Sequence, residues 1–157
     1  MNSGGELKEL TGVEYGRIMG KDLFFHFLDM EVKRARRYQN FLCLLLLNLR
    51  KCHGNGNGNS LMTCHQVLTD LLLVEFRESD VLGSLSEEKL VALLPYADKA
   101  AGGLAKSRFE GVLKYFDFKK NGYEVAVEQI CFPVNGADTI DLIKRTLGGE
   151  SGKAHGA

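Results

Sequence analysis

Several things are missing from this sequence, and each absence narrows its function. Twenty basic and twenty acidic residues cancel over 157 positions, so no global field draws the chain toward nucleic acid or an anionic membrane. The longest apolar runs, Leu42 to Leu47 and Leu71 to Val74, fall far short of the roughly 20 residues needed to cross a bilayer. The opening Met1-Asn2-Ser3-Gly4-Gly5 has neither the basic start nor the apolar stretch of a secretory signal. The expectation is a soluble, cytoplasmic protein with no nucleic-acid partner and no membrane insertion. Internal repeats are absent, and no Ser/His/Asp or Cys/His nucleophile constellation is legible. Four cysteines, Cys43, Cys52, Cys64 and Cys131, include no Cys-x-x-Cys pair, and a chain of this size does not need disulfide staples. Cys52-His53 and Cys64-His65 pair two zinc-ligating residue types, but neighbours in sequence rarely both reach one tetrahedral ion. Cys43 and Cys131 sit in apolar runs, as small buried hydrophobes do.

The length suits one domain with a proper core. Residues 1–10 read as a flexible lead-in, 11–147 as the folded domain and 148–157 as a disordered tail with little to bury. Within the domain, helix and strand patterns alternate. Leu23, Phe24, Phe27, Leu28, Met30 and Val32 recur at helical spacing over 21–38, with Arg34, Arg36 and Arg37 near the helix end. The apolar run over 41–49 predicts a strand covered on both faces. A Gly/Asn loop over 54–59 lacks the Gly-Lys-Ser/Thr ending of a phosphate cradle, and Ser60 is placed to cap a helix reaching Phe76. Val81 to Leu85 and Lys89 to Leu94 read as a hairpin. A helix over 98–116, a strand from Tyr123 to Phe132 ended by Pro133, and a helix over 138–147 follow. A hairpin between two crossover helices predicts an α/β (α+β) sandwich. Its core is a ferredoxin-like split β-α-β unit, with a mainly antiparallel central sheet flanked by helices.

The block from Arg77 to Pro95 carries the most information. Arg77-Glu78-Ser79-Asp80 stands five residues ahead of Ser86-Glu87-Glu88-Lys89-Leu90, and Leu93-Leu94-Pro95 follows. This layout resembles the GGDEF domain of bacterial diguanylate cyclases, where an Arg-x-x-Asp motif precedes the signature pentapeptide by the same distance. Leu10-Thr11-Gly12 resembles the opening of that family, although Lys8 replaces its usual Asp. Glu31 to Tyr38 is similar to its Glu-x-x-Arg-Ala-Arg-Arg helix end, and Leu44 to Leu49 to its first strand.

The resemblance implies an enzyme that has lost its chemistry. Family cyclases hold two divalent metals between carboxylates on the first strand and in the pentapeptide, and hard cations require such oxygen ligands. Here the first-strand position is Asn48 and the next acidic position is Arg50. Ser86 and Glu87 replace the two glycines that let backbone approach phosphate. Glu88 keeps an acid, but Lys89 replaces its acidic neighbour. The substrate-reading residues correspond to Cys52-His53 and the Gly/Asn loop. The expectation is no enzyme activity, no catalytic residues, no metal site and no cofactor.

The same resemblance implies a retained ligand site. In the family, the Arg-x-x-Asp motif binds cyclic di-GMP as a feedback site, helped by an Arg thirteen residues after the Leu-Leu-Pro proline. In this chain those residues are Arg77, Asp80 and Arg108. Arginine forks onto guanine O6 and N7 or onto phosphate, and aspartate accepts from the complementary guanine edge. The expected function is an inactive GGDEF-like signalling receptor or regulator for cyclic di-GMP, with a protein partner or self-association. The alternative is a ligand-free protein-interaction module, with Arg77 and Asp80 a plain ion pair at a helix end. Residual GTP binding is the weakest reading. The basic cluster Lys33, Arg34, Arg36 and Arg37 reads as a solvated helix end favoured by the macrodipole.

Overall fold

The structure, a computed structural model, describes residues 18–52, 58–135 and 138–156. The lead-in, Leu10-Thr11-Gly12, His53 and most of the Gly/Asn loop lie outside them. A short strand β1 (Ile18–Gly20) leads into helix α1 (Lys21–Tyr38) and strand β2 (Leu42–Lys51). Helix α2 (Gly58–Glu75) precedes the hairpin of β3 (Val81–Ser86) and β4 (Lys89–Pro95). Helix α3 (Lys99–Val112), two single 3₁₀ turns, strand β5 (Tyr123–Phe132) and helix α4 (Thr139–Gly156) complete the chain. The sheet order is β1-β3-β4-β2-β5. Among the described residues only β1 and β3 run parallel, and the other pairings are antiparallel. This is the expected split β-α-β core in a mainly antiparallel sheet with helices on both faces.

The continuous apolar run suits β2, a central strand whose two faces both remove leucines from water. β2 is hydrogen-bonded to β4 on one side and β5 on the other. Cys43, Leu45, Leu47 and Leu49 point into one core with Leu61, Cys64, Leu68 and Leu72 of α2 and Ala105 and Phe109 of α3. Leu42, Leu44 and Leu46 point into the other, against Phe24, Leu28, Val32 and Ala35 of α1 and Leu142 of α4. Each fully buried leucine contributes about 1.5–3 kcal/mol by leaving water.

Several details depart from the sequence reading. The buried stripe of α1 is Phe24, Leu28, Val32 and Ala35, while Leu23 and Met30 are more than half exposed. The apolar character of α1 is therefore wider than the face it buries. α1 closes at Gln39, whose left-handed backbone turns its N–H back to the carbonyls of Ala35 and Arg36. α3 stops at Val112, and the expected last turn is a 3₁₀ turn, Leu113–Tyr115. α4 runs on to Gly156, through a stretch that composition assigns to a tail. β1 carries no sequence signal, being three residues long.

Two glycines allow close approach. A Cβ on Gly83 would lie 2.5 Å from the Phe24 ring, and one on Gly102 would lie 2.5 Å from Cys43 Sγ. Gly102 thus lets α3 settle onto β2, which fixes where the later residues of α3 stand.

Cys43 and Cys131 face each other across β2 and β5, with sulfurs 2.9 Å apart. Burial, reinforced by the Cys131 thiol, pushes the Cys43 thiol up to about 12. Cys64 is also buried, and desolvation raises its thiol, so it faces the core and not a metal shared with His65. Among the described residues, no three His, Cys, Asp or Glu side chains are grouped to hold a metal, and no helix is long and apolar enough to cross a membrane.

Candidate functional site

The hairpin of β3 and β4 has two ends, and the residues singled out by sequence divide between them. At the open end, α2 stops at Glu75 and a tight turn enters β3, closed by the Asp80 N–H donating to the Arg77 carbonyl at 3.0 Å. The Asp80 carboxylate folds back into this turn. One oxygen accepts the Arg77 backbone N–H at 2.8 Å and Arg77 Nε at 3.4 Å; the other accepts Arg77 Nη2 at 3.1 Å. The Asp80 side chain has no exposed surface, whereas that of Arg77 is 55% exposed. This is not a surface ion pair. A buried carboxylate needs such partners, and the spacing of two residues between Arg and Asp lets one turn supply them.

Arg77 Nη2 also donates to the Pro95 carbonyl at the end of β4, 3.3 Å away. Its guanidinium is thereby held from two sides with part of its fork facing solvent. Arg108 arrives from α3. The stacked rings of Phe76 and Phe109, 5.7 Å apart, hold the end of α2 against that helix. Arg108 Nε lies 3.2 Å from a Glu75 carboxylate oxygen, and its Nη2 donates to the Glu75 carbonyl at 3.4 Å. Arg77, Asp80 and Arg108 line one groove of about 200 Å³, with Leu94, Ala97, Ala101, Leu104 and Ala105 as its apolar floor. All three sequence candidates are thus brought together. The Pro95 carbonyl, Glu75 and the alanine floor were missed by sequence reasoning. Ala97, Ala101 and Ala105, small residues four apart ahead of Arg108, were the available signal.

At the turn end of the hairpin, Ser86, Glu87 and Glu88 are exposed. Asn48 of β2 is paired in register with Lys89 of β4 and with Ala126 of β5. The first-strand position and the pentapeptide positions therefore do meet. What meets is an amide and an ammonium. Asn48 is buried, and among the described residues its side-chain oxygen finds no hydrogen-bond partner; Lys89 turns away to the Thr146 carbonyl at 3.4 Å. Nearby, Ser84 Oγ lies 3.3 Å from His65 Nε2. Burial depresses the imidazole's pKa, partly offset by Glu87.

The basic end of α1 is tied down in part. Lys33 pairs with Asp29 at 2.9 Å. Arg34 pairs with Glu31, donates to the Tyr96 hydroxyl and lies 4.5 Å from the Tyr96 ring centroid. Tyr96 immediately follows Pro95 and takes a left-handed backbone, φ 65. Arg34 therefore buttresses the rim next to the groove.

Solved structures share this fold. A DGC protein from Thermotoga maritima superposes with a TM-score of 0.70 at 15% identity, covering 83% of this chain and 93% of that one. The fold is the GGDEF fold. The GGDEF domain of FimX from Pseudomonas aeruginosa matches with a TM-score of 0.60 at 17% identity, over 81% of this chain and 83% of that one. The GGDEF domain of DgcB from Caulobacter crescentus, crystallised in complex with c-di-GMP, matches with a TM-score of 0.63 at 10% identity, over 87% and 83%. No protein-family model and no curated protein match the chain by sequence. The chain takes the GGDEF architecture with a sequence far from those of these structural neighbours.

Proposed function

We propose that this chain is a catalytically inactive GGDEF-fold signalling domain of the cytoplasm that binds cyclic di-GMP in the groove of Arg77, Asp80 and Arg108. One observation carries the reading: two arginines 31 positions apart in sequence converge on one groove around a buried aspartate. Arg77 presents the solvent-facing part of its guanidinium to guanine O6 or N7, acceptors that a guanidinium N–H fits. Asp80 is a positioning residue in this scheme, because both its oxygens already hold Arg77. A direct Asp80 contact with the guanine donors would require that pair to open. Arg108 reaches a second guanine or a phosphate by leaving Glu75, and the two cations offset the two phosphate charges. The apolar floor receives a base face.

The reading of lost catalysis draws on the other end of the hairpin. Phosphoryl transfer depends on metals and positive charge placed around the transferring group. Asn48 supplies no charge for a metal, Lys89 repels one, and side chains at Ser86 and Glu87 stand where backbone would approach phosphate. GTP with magnesium or manganese is expected to yield no cyclic dinucleotide by chromatography. Product that scales with protein and disappears in Glu88→Ala would overturn this.

Calorimetric titration with cyclic di-GMP tests the binding. Arg77→Ala is expected to weaken it roughly tenfold or more, as loss of a charge-assisted hydrogen bond of about 1.5–3 kcal/mol implies. Arg50→Ala, at the far end of β2, should leave it unchanged. Arg34 is unsuitable as that control, because it supports Tyr96 at the rim. Absence of binding by the wild-type protein at high micromolar ligand would leave the interaction-module reading in its place.

A further inference from the structure

The sheet holds a pair of thiols that neither the groove nor the hairpin uses. Cys43 of β2 lies opposite Cys131 of β5, and both side chains are buried. The Leu49 N–H donates to the Glu88 carbonyl, so odd residues of β2 bond to β4 and face β5 without backbone hydrogen bonds. Cys131 agrees with this register. Its N–H donates to Asn135 Oδ1 at 2.9 Å, and its carbonyl accepts from the Asn135 N–H at 2.6 Å. In an antiparallel ladder such non-bonded pairs bring Cα atoms closest, to about 4.5 Å. That separation lies inside the range of about 4.4–6.8 Å that a disulfide spans.

The two sulfurs are already in contact. They lie 2.9 Å apart, whereas even carbon atoms, smaller than sulfur, pack best at about 3.5–4.0 Å. Their surroundings differ. Gln129, half-buried and two residues before Cys131 on β5, donates from Nε2 to Cys131 Sγ at 3.2 Å and to the Lys99 carbonyl at 2.9 Å. Cys43 Sγ lies 3.3 Å from the Asp98 carbonyl and 3.4 Å from that of Ala97, with its S–H as the donor. The Cys131 sulfur thus receives a hydrogen bond, as an attacking sulfur needs, while burial keeps the proton on Cys43. Gly102 makes room for both groups. A Cβ there would lie 2.5 Å from Cys43 Sγ and 2.7 Å from Gln129 Nε2.

We propose that Cys43 and Cys131 are a redox-sensing pair that hydrogen peroxide converts into a reversible cross-strand disulfide. The Cys131 sulfur attacks one peroxide oxygen and the O–O bond breaks. The departing hydroxide takes the Cys131 thiol proton and leaves as water, and Cys131 becomes a sulfenic acid. The Cys43 sulfur then attacks the Cys131 sulfur. The S–O bond breaks, and the hydroxyl takes the Cys43 proton and leaves as a second water. Two thiols lose two electrons in all, and one peroxide becomes two waters. A small oxidant suits a buried pair, and a dithiol reverses the bond by exchange. Once oxidised, Cys43 has no proton to share with the Ala97 and Asp98 carbonyls, so the state of the pair is felt where β4 passes into α3. Cytosolic disulfides are characteristically transient bonds of this redox-sensing kind. This chemistry needs no cyclic di-GMP and stands whether or not the groove binds it.

The test treats the reduced full chain with about one to ten equivalents of hydrogen peroxide, blocks the remaining thiols and maps the peptides by mass spectrometry. Free thiols should fall from four to two, with one bond joining Cys43 to Cys131 of the same chain, and dithiothreitol should restore all four. The Ala97 and Asp98 carbonyl carbon resonances should shift on oxidation and return on reduction. The same treatment in urea should give mixed pairings. Gln129→Leu removes the donor to Cys131, so the bond should form about fivefold more slowly in a chain whose circular dichroism matches wild type. If Gln129→Leu fails to fold, the wild-type peptide map still decides. Four thiols persisting in the folded chain overturn the proposal. So does a bond through Cys52 or Cys64, over-oxidation of Cys131 without a bond to Cys43, or the same single bond formed in urea. A folded Gln129→Leu variant that oxidises as fast as wild type, or Ala97 and Asp98 resonances that stay in place, overturns it too.

Discussion

The two ends of the β3–β4 hairpin have met different fates on one scaffold. At the open end, Asp80 is buried with both oxygens satisfied, and the Arg77 fork is held against the Pro95 carbonyl. At the turn end, Asn48 is buried with an orphaned side-chain oxygen, and Lys89 reaches away toward α4. A buried polar group without a partner costs about 1–3 kcal/mol, so one end stores a cost where the other has a satisfied network. The difference separates fold from chemistry. The architecture needs β2 between β4 and β5, whatever side chain sits at position 48. A metal site needs particular oxygens there, and a ligand groove needs Arg77 held still.

The largest expected effect comes from breaking the satisfied end. Asp80→Asn keeps size but replaces an acceptor by a donor facing the Arg77 fork. At least two charge-assisted hydrogen bonds weaken, at about 1.5–3 kcal/mol each. Cyclic di-GMP affinity should therefore fall by roughly a hundredfold, at about 1.4 kcal/mol per decade. Calorimetry would measure this alongside a circular dichroism spectrum close to wild type. Retained affinity would mean that Arg77 needs no buttress, and the groove would lose its main argument.

Much of this was legible in the sequence, for identifiable reasons. β2 announced itself through an unbroken apolar run, and the hairpin through two apolar segments around Ser86-Glu87. Arg77, Asp80 and Arg108 could be aligned because motif spacing fixes their distance from Pro95. What could not be read was which groups they meet. Glu75 precedes Arg77 by two residues, and nothing in that spacing signals that it turns toward Arg108 of another helix. The burial of Asp80 was equally hidden, since Arg-x-x-Asp reads the same at a surface helix end. The exposure of Leu23 and Met30 escaped because helical periodicity marks an apolar face without marking how much of it a sheet covers.

Glu75 offers the next test of the groove. Its carboxylate holds Arg108 at 3.2 Å with both side chains partly exposed, a type of pair contributing at most about 1 kcal/mol. Glu75→Gln should release Arg108 and tighten cyclic di-GMP binding by up to about fivefold. An unchanged or weaker affinity, with the fold intact, would show that Arg108 does not reach the ligand.

At the turn end the comparison predicts gain. Asn48→Leu removes an orphaned oxygen from a strand position flanked by Leu47 and Leu49. Stability should rise by about 1 kcal/mol in a urea titration with an unchanged m-value, and ligand affinity should stay as it was. Destabilisation would mean that the Asn48 amide is satisfied in solution, and the turn end would then keep more of a working site than its residues suggest.

The smallest expected effect belongs to His65 beside that same end, and its sign is fixed by burial. Desolvation depresses the imidazole's pKa in the folded protein below its ordinary value near 6.5. Below that value the unfolded chain takes up a proton that the folded chain resists, so stability rises with pH through this window. The contribution of the neutral ring is present above about pH 6.5 and is lost as pH falls through the folded value. His65→Gln keeps a polar group near Ser84 but removes the titration. Its urea midpoint should therefore vary less than wild type between about pH 7 and 5. Glu87 opposes the shift, since its charge favours the imidazolium, so Glu87→Gln should steepen the wild-type dependence. If the His65→Gln variant loses stability on acidification as steeply as wild type, the pH dependence arises elsewhere in the fold and not at the turn end of the hairpin.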